Sequence, residues 1–494
     1  MSEHRRRGLR RIAARGVLIN GMFLVGLNFL NLIKGFVAAG LLSTTDYGIW
    51  GILSITLIAM LWLKDMGVSD KFVQQEEDDQ ERAFQEAFSV NLVLTGGLFV
   101  LMAAAMPLLA WIYGRDELIL PGVVLALLLP GLALQAPIWA HWREMRFLRQ
   151  RALQSIDPLL SFVLTIVLAI AGAGYWSFII STVAGTWITA LVALRSSPYP
   201  IRWRMSRRIL RSYFHFSWPL FVGAFNGLVI TQLSVFAGEA ELGLVGVAAI
   251  TLASTVVRYS QRLDDVISST LYPVVARVQD RSDLLMESFE KSNRLALIWA
   301  TPFGLAFALF STDLIHFALG AEWEPAIIVH QLIGVAAVFN QIGFNWTAYY
   351  RARGETHQLA IASWIALAFF LAVVLPLIFT WGLEGYGVGM LAMSVLNSIV
   401  RGHYLRRIFP KLRVFPHALR AMAPTLPAVA VILLLRVAED GERTLSIALG
   451  ELALFIVLSI VAALRFERTL MREILGYLRR ARPEPPHEPE VAAP

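Results

Sequence analysis

The feature that most constrains this chain is an alternation of apolar runs, each about 20 residues long, with short polar segments. Approximate runs fall at 17–40, 47–64, 88–113, 118–140, 157–174, 176–194, 213–237, 243–268, 295–318, 325–349, 359–379, 382–400, 418–437 and 445–464. Each is long enough to cross a bilayer as a helix, so the pattern predicts an all-α integral membrane protein with about fourteen spans. Composition agrees. Charged residues make up 16% of the chain and hydrophobic ones 57%, whereas a soluble domain is about a quarter charged.

The basic residues supply an independent test. With the N-terminus inside, nearly all of the 43 Lys and Arg fall in the N-tail, alternate loops and C-tail, as the positive-inside rule requires. The 201–211 loop alone holds Arg202, Arg204, Arg207, Arg208 and Arg211, while the outer loops hold Arg115, Arg436 and Arg443. The net charge of +7 therefore reflects orientation in a membrane, not a nucleic-acid partner. An even number of spans is expected to put both termini in the cytoplasm. The N-terminal Arg cluster precedes an apolar run longer than a signal peptide's core, so the first span is expected to be retained.

The outer loops, such as Ser43–Asp46, Gly114–Glu117, Gly238–Leu242 and Gly320–Glu324, are too short to fold as catalytic domains. No cysteine is present, which excludes disulfides and thiol chemistry. No HExxH, Walker A or zinc-ligand spacing occurs, and the acidic stretch Glu76–Glu81 reads as a solvated loop. No cofactor or metal, and no enzyme activity, is expected. Trp142–Leu153 and Leu464–Arg480 mix apolar and basic residues as interfacial amphipathic helices do. The proline-rich end beyond Arg482 is too polar to pack.

Two halves echo each other at an offset of roughly 195–211 residues. TTDYGIWGI matches EAELGLVGV, IYGRDE matches ALGAEWEP, MRFLRQRAL matches YRARGETHQ (Arg146 on Arg351), and Gly174-Tyr175-Trp176 matches Gly385-Tyr386-Gly387. The expected organisation is a basic N-tail (1–16), a first lobe (17–200), a second lobe (201–411), a final helix pair (412–465), and an amphipathic helix with a disordered tail (466–494). Lobes of six spans insert the same way up and are related by an axis along the membrane normal. Such lobes can rock around a shared cavity.

The chain resembles the polysaccharide-exporting branch of the multidrug/oligosaccharidyl-lipid/polysaccharide exporter superfamily. The likeness covers about residues 15–465. It rests on LLSTTDYGIWGI, KDMGVSDKFVQQ, FSWPLFVGAFNGLVITQLSVFAGEAELGLVGVAAI, LYPVVARVQD with FEKSNRLALIWATPFG, LGAEWEPA and YRARGETHQ, in the family's order. Thr44-Thr45 stands where a proline is more common. The resemblance implies two pseudo-symmetric six-helix lobes plus a final pair, and a flippase for undecaprenyl-diphosphate-linked repeat units of O-antigen, capsule or exopolysaccharide. It also implies a polysaccharide polymerase or export machinery as further partners.

Ionisable residues inside spans are the first candidates for function, because a charge at a helix centre costs about 2.5–3.5 kcal/mol on insertion scales. Lys34 lies well inside the first span and shares a face with Asn20 and Asn31. It either faces a central cavity or snorkels to the outer headgroups. Arg258 and Arg262, one turn apart near the inner end of the eighth span, either hold a diphosphate bidentately or pair with Asp264, Asp265 or lipid. Gln135, His215, Asn226, Gln232, Asn340, Gln341 and Asn345 either bond sugar hydroxyls or tie neighbouring helices. Trp139, Trp142, Trp346, Tyr349 and Tyr350 read as an interfacial belt, with stacking on sugars as the alternative. The prolines at 107, 130, 137, 219, 302, 376, 424 and 427 predict kinks.

The expected function is translocation of a lipid-linked oligosaccharide by alternating access, with membrane lipids and the lipid-linked oligosaccharide as partners. Two transport alternatives remain at this point: a peptidoglycan-precursor flippase and a small-molecule antiporter. A membrane polymerase or ligase is disfavoured by the lack of a large outer loop.

Overall fold

The computed structural model describes residues 29–64, 79–144, 146–205, 207–260, 282–353, 357–439 and 441–468, with single positions at 23, 26, 27, 68, 72, 355, 470 and 472 excepted from the gaps. Arg5–Asn20, Asn28, Arg262, Asp264, Asp265 and the end of the proposed C-terminal amphipathic helix lie outside the described residues, as do the side chains of His215 and Arg351.

The described residues form helices and no strand. We number them α1 (Phe29–Leu41), α2 (Thr44–Lys64), α3 (Gln80–Tyr113), α4 (Ile119–Ala126), α5 (Leu128–Ala133), α6 (Pro137–Arg143), α7 (Phe147–Ile170) and α8 (Trp176–Arg195). The second half gives α9 (Arg207–Ser260), α10 (Ser282–Leu314), α11 (Ile327–Asn340), α12 (Trp346–Ala352), α13 (His357–Phe369), α14 (Leu375–Ile408), α15 (Val414–Met422), α16 (Leu426–Val437) and α17 (Leu445–Phe466).

Ten helical stretches are long and apolar enough to cross a membrane, and the chain is a multi-pass membrane protein. Two of the ten double back. In α9, Gly243 has φ 64°, and a Cβ on Gly246 would meet the Gly238 carbonyl oxygen at 2.5 Å. In a straight helix those two residues would be about 12 Å apart, so α9 is two antiparallel legs. Gly382, at φ 61°, divides α14 in the same way, and a Cβ on Gly389 would touch Val374 Cγ1 at 2.9 Å. Among the described residues, the expected first and tenth spans are not among the ten. Of the first, the described part is the apolar helix α1, and the tenth is broken between α11 and α12.

Local chemistry explains the boundaries. Ser43 and Asp46 form a reciprocal cap at the start of α2, with Ser43 Oγ donating to Asp46 Oδ2 at 2.7 Å and Asp46 N donating to Ser43 Oγ at 3.1 Å. The free Asp46 oxygen accepts from Tyr175 N at 3.1 Å, so this cap also pins the α7–α8 turn. Asp79 caps α3 by accepting from Arg82 N, and Gly114 ends it at φ 62°. Gly320, at φ 96°, closes α10 and its π-helical end in the corresponding place, and a 3-10 turn follows each glycine. The IYGRDE and ALGAEWEP echo thus has a shared backbone form.

The expected interfacial helix over Trp142–Leu153 is corrected. Helix α6 ends at Arg143, Arg146 pairs with Glu144 at 3.1 Å, and Phe147–Leu153 is the first part of the long α7. The aromatic belt at the inner end of the tenth span is corrected as well. Trp346, Tyr349 and Tyr350 are buried with Phe289, Tyr404 and Phe409. Trp346 stacks on Tyr404, and Tyr350 Oη donates to the Tyr404 carbonyl at 2.8 Å. These rings fill a core instead of facing headgroups.

Close packing joins the two halves of the chain at one end, the end that carries the 42–43, 114–118 and 320–326 turns. A Cβ on Gly40 would lie 2.4 Å from the Ala318 carbonyl oxygen, one on Gly48 2.4 Å from that of Leu244, and one on Gly51 2.4 Å from Thr251 Oγ1. Small residues permit this approach of helix backbones. Polar contacts reinforce it, with Thr44 N donating to Glu322 Oε2 at 3.3 Å and Arg115 paired with Glu239 at 3.2 Å. Tyr47 packs edge-on to Trp323, with centroids 5.2 Å apart.

Candidate functional site: a lysine and an apolar groove on opposite faces of the first helix

Leu32 and Phe36 sit one turn apart on α1, and Lys34 lies between them in sequence, about 200° around the helix from either. The structure uses both faces. The Lys34 ammonium turns inward to α7, where Nζ donates to Ser161 Oγ at 3.0 Å. Ser161 is buried at 2% exposure, so the amine is held within the helix bundle and does not snorkel to headgroups. One turn earlier on α7 stands Asp157. Among the described residues no ion pair joins the two. Asp157 Oδ2 accepts from Thr186 Oγ1 on α8 at 3.2 Å. Gly185 lets α8 come so close that a Cβ there would meet Asp157 Oδ1 at 2.4 Å. Farther along the same seam, the Thr165 and Ser181 hydroxyls bond at 2.7 Å.

The opposite face of α1 forms a wall of a groove of about 840 Å³. Leu32 and Phe36 line one side, Trp299, Phe303 and Phe307 of α10 the second, and Leu452 with neighbours on α17 the third. The lining is nearly all apolar, which suits hydrocarbon and not a sugar. Phe36 and Phe307 close its floor at a centroid separation of 6.2 Å.

Arg258 is exposed at the end of the second leg of α9, and its Nη2 donates to Thr255 Oγ1 at 2.8 Å. The Thr255 methyl lies against Gly35, the residue after Lys34. Lys34 and Arg258 are thereby brought to adjoining parts of one helix junction, where α1, α2 and α9 meet. Of the other candidates, Asn31 donates to Leu27 O on its own helix at 3.0 Å, and Gln232 is partly buried on the first leg of α9. Asn226 and Asn345 are placed elsewhere than in open space. Asn226 Nδ2 donates to Ser363 Oγ at 2.8 Å, and Asn345 Nδ2 donates to Ser292 Oγ at 2.5 Å. Both are buried ties between helices. Gln135 donates to Thr186 O at 3.0 Å and Gln341 to Ser260 O at 3.4 Å.

Sequence reasoning missed a charged cluster beside the groove. Asp313 of α10 pairs with Arg436 of α16 at 2.9 Å and with Arg443. Glu451 of α17 pairs with Arg443 at 2.6 Å and with Arg436 at 3.2 Å, and Glu439 pairs with Arg443 at 2.8 Å. Hydrogen bonds to Asp313 and Glu451 push the Arg443 guanidinium above its usual range. The Arg436 guanidinium also lies 4.9 Å from the Phe310 ring. These arginines, with Arg115, are the ones that the charge rule left on the outer side. All three are matched by carboxylates from other helices or loops.

A family model described as polysaccharide biosynthesis protein matches residues 37–328. The chain belongs to that polysaccharide biosynthesis protein family. The match spans α2 through α10 and so includes Asp157, Ser161 and Thr186. A Klebsiella pneumoniae protein named as an uncharacterized membrane protein in the cps region is 19% identical over 402 residues, 78% of this chain and 80% of its own. The Escherichia coli lipopolysaccharide biosynthesis protein WzxC is 24% identical over 336 residues, 64% of each chain. Among solved structures, the lipid II flippase MurJ in an inward closed conformation is similar with a TM-score of 0.70 at 13% identity, covering 92% of this chain and 100% of that one. At that identity the likeness concerns the fold.

Proposed function

We propose that this chain carries lipid-linked oligosaccharides with a diphosphate linkage across the bacterial inner membrane by alternating access, for O-antigen, capsule or exopolysaccharide assembly. One observation carries the reading. The first helix presents a buried ammonium on one face and a hydrocarbon-lined groove on the other. A substrate that is an anionic headgroup on a polyprenyl tail needs those two environments side by side. Membership of the polysaccharide biosynthesis family and the names of its relatives support the same substrate class.

In this reading the chain makes fourteen crossings with both termini cytoplasmic, arranged as lobes 17–200 and 201–411 plus the final pair. The tight seam of Gly40, Gly48 and Gly51 closes the outer end. The headgroup enters from the cytoplasmic side past Arg258, with Arg262 beyond it, and meets Lys34 deeper in the bundle. Asn31 and Gln232 are the amides available to sugar hydroxyls, and Asn226 and Asn345 become available once their helix contacts part. The tail stays in lipid and in the groove. The protein performs no covalent chemistry on its substrate.

The test is reconstitution into liposomes with a fluorescent undecaprenyl-diphosphate-linked oligosaccharide. Wild type should equilibrate the label between leaflets, and Lys34→Ala should lose most of that rate at equal protein content. Leaflet exchange no faster than in protein-free vesicles would remove the proposal. The fold shared with a lipid II flippase makes lipid II the proper competing substrate in the same assay.

A further inference from the structure

We propose that Asp157 is a specificity-determining residue: an internal stand-in for the substrate's phosphate, which neutralises Lys34 in the empty protein and yields it to an anionic headgroup. The inference rests on the flippase reading above and names the residue that makes the site select anionic lipids.

Three helices build the arrangement. Lys34 comes from α1, Asp157 and Ser161 from successive turns of α7, and Thr186 with Gly185 from α8. Two limiting designs would fail as an exchangeable anion site. A lone buried lysine has no compensating charge, and its ionised form is expelled from a low-dielectric interior. A tight buried lysine–carboxylate pair is hard to open, because removing one partner strands the other.

The observed geometry lies between these limits. Asp157 stands one turn from Ser161 on α7, beside the hydroxyl that holds the amine. Yet among the described residues the amine bonds the neutral Ser161 hydroxyl, and the carboxylate accepts from Thr186. Ser161 and Asp157 are four residues apart, a rise of about 6 Å along the helix. An ammonium has three donors, and Ser161 takes one. The remaining two are available without breaking a direct ion pair.

The carboxylate, by contrast, is held back. The Thr186 hydroxyl anchors Oδ2, and α8 packs against Oδ1 across Gly185. Asp157 therefore does not follow Lys34 when the amine moves to another anion. A diphosphate gains the ammonium at the cost of a half-screened contact, whereas a neutral lipid gains nothing from separating the two charges. The pair thus discriminates by ligand charge before any sugar is read.

The measurement is equilibrium binding of a short-chain polyprenyl diphosphate to the purified full-length chain in nanodiscs, with the uncharged polyprenol as control. Asp157→Asn removes the internal competitor. It should tighten diphosphate binding roughly tenfold and slow leaflet exchange, since release becomes harder. Thr186→Val keeps the side-chain shape but frees the carboxylate to approach Lys34, and should weaken binding about threefold. Polyprenol binding should be the same in all variants. A purely structural role for Asp157 would not give opposite shifts in the two variants. Asp157→Asn binding as wild type or more weakly, with Thr186→Val unchanged, overturns the assignment. If Asp157→Asn does not fold, an unchanged affinity in Thr186→Val overturns it alone. If wild type itself fails to bind the diphosphate lipid, the flippase reading falls, and this inference with it.

Discussion

In the proposed cycle the seam that shuts the outer end is built on glycines, and Gly48→Ala tests it with one methyl group. The added Cβ would sit 2.4 Å from the Leu244 carbonyl oxygen, 2.8 Å from Leu244 Cβ and 3.0 Å from its carbonyl carbon. Two of these atoms are backbone, so no side-chain rotation relieves the clash. The α2 helix and the second leg of α9 must separate by about 1 Å to reach ordinary contact distance. Overpacking of this kind costs about 1–3 kcal/mol, and the cost falls on the closed state alone. Every 1.4 kcal/mol is a factor of ten, so the ratio of closed to open protein should fall by roughly five- to hundredfold. The natural chain has no cysteine, which makes the assay direct. Ala248 is fully buried beside this seam, and Ala248→Cys serves as the reporter, labelled from outside with a membrane-impermeant maleimide. Its labelling rate should rise by the same factor when Gly48→Ala is added. Gly97→Ala is the control, because a Cβ there meets nothing within 4 Å, and it should leave the rate alone. An unchanged labelling rate in Gly48→Ala, at unchanged thermal stability, would show that the glycine seam does not hold the outer end shut.

Two further outcomes follow from the same contacts. Asp313→Asn leaves Arg436 and Arg443 short of a carboxylate that both use; detergent-solubilised protein should lose about 3 kcal/mol of stability, read as a lowered unfolding temperature, and Asp313→Glu should restore part of it. Cysteines at Phe36 and Phe307, whose rings meet at a centroid separation of 6.2 Å between α1 and α10, should be joined by a short bis-maleimide, and the cross-linked protein should lose exchange of long-chain substrate; full activity after cross-linking would mean the groove need not open.

The ten stretches long enough to cross were legible because each is a self-contained signal of length and apolarity. Lys34 was legible for the same reason, since a lone charge stands out in an apolar run. Asp157 was not. It falls at the first residue of the expected 157–174 span, where a carboxylate looks like a boundary, but α7 starts at Phe147 and carries it well inside. Asp313 was hidden in a similar way, near the end of the 295–318 run. Asn226 and Asn345 show a different limit. Their residue type suited a sugar-lined cavity, and only the positions of Ser363 and Ser292 on other helices reveal them as ties. Which faces of distant helices meet is a long-range property that no local pattern encodes. The breaks divide along the same line: Pro130 and Pro137 mark the interrupted fourth span, whereas the tenth breaks around Gly343, at φ 68°, with no proline to announce it.

The charged cluster and the first helix together decide what can move against what. Asp313, Arg436, Arg443 and Glu451 tie α10, α16, the 438–444 turn and α17 into one unit, so two walls of the groove belong to a single body. The third wall is α1, which the Lys34–Ser161 bond attaches to α7 in the first half of the chain. A displacement of one half against the other must therefore change the width of the groove. The same displacement acts on the Gly40–Ala318 contact, at the end of that very helix. Helix α1 thus meets the hydrocarbon, the charge and the seam on different faces. Loosening any one of them bears on the other two, which is the coupling a carrier of an amphiphile requires.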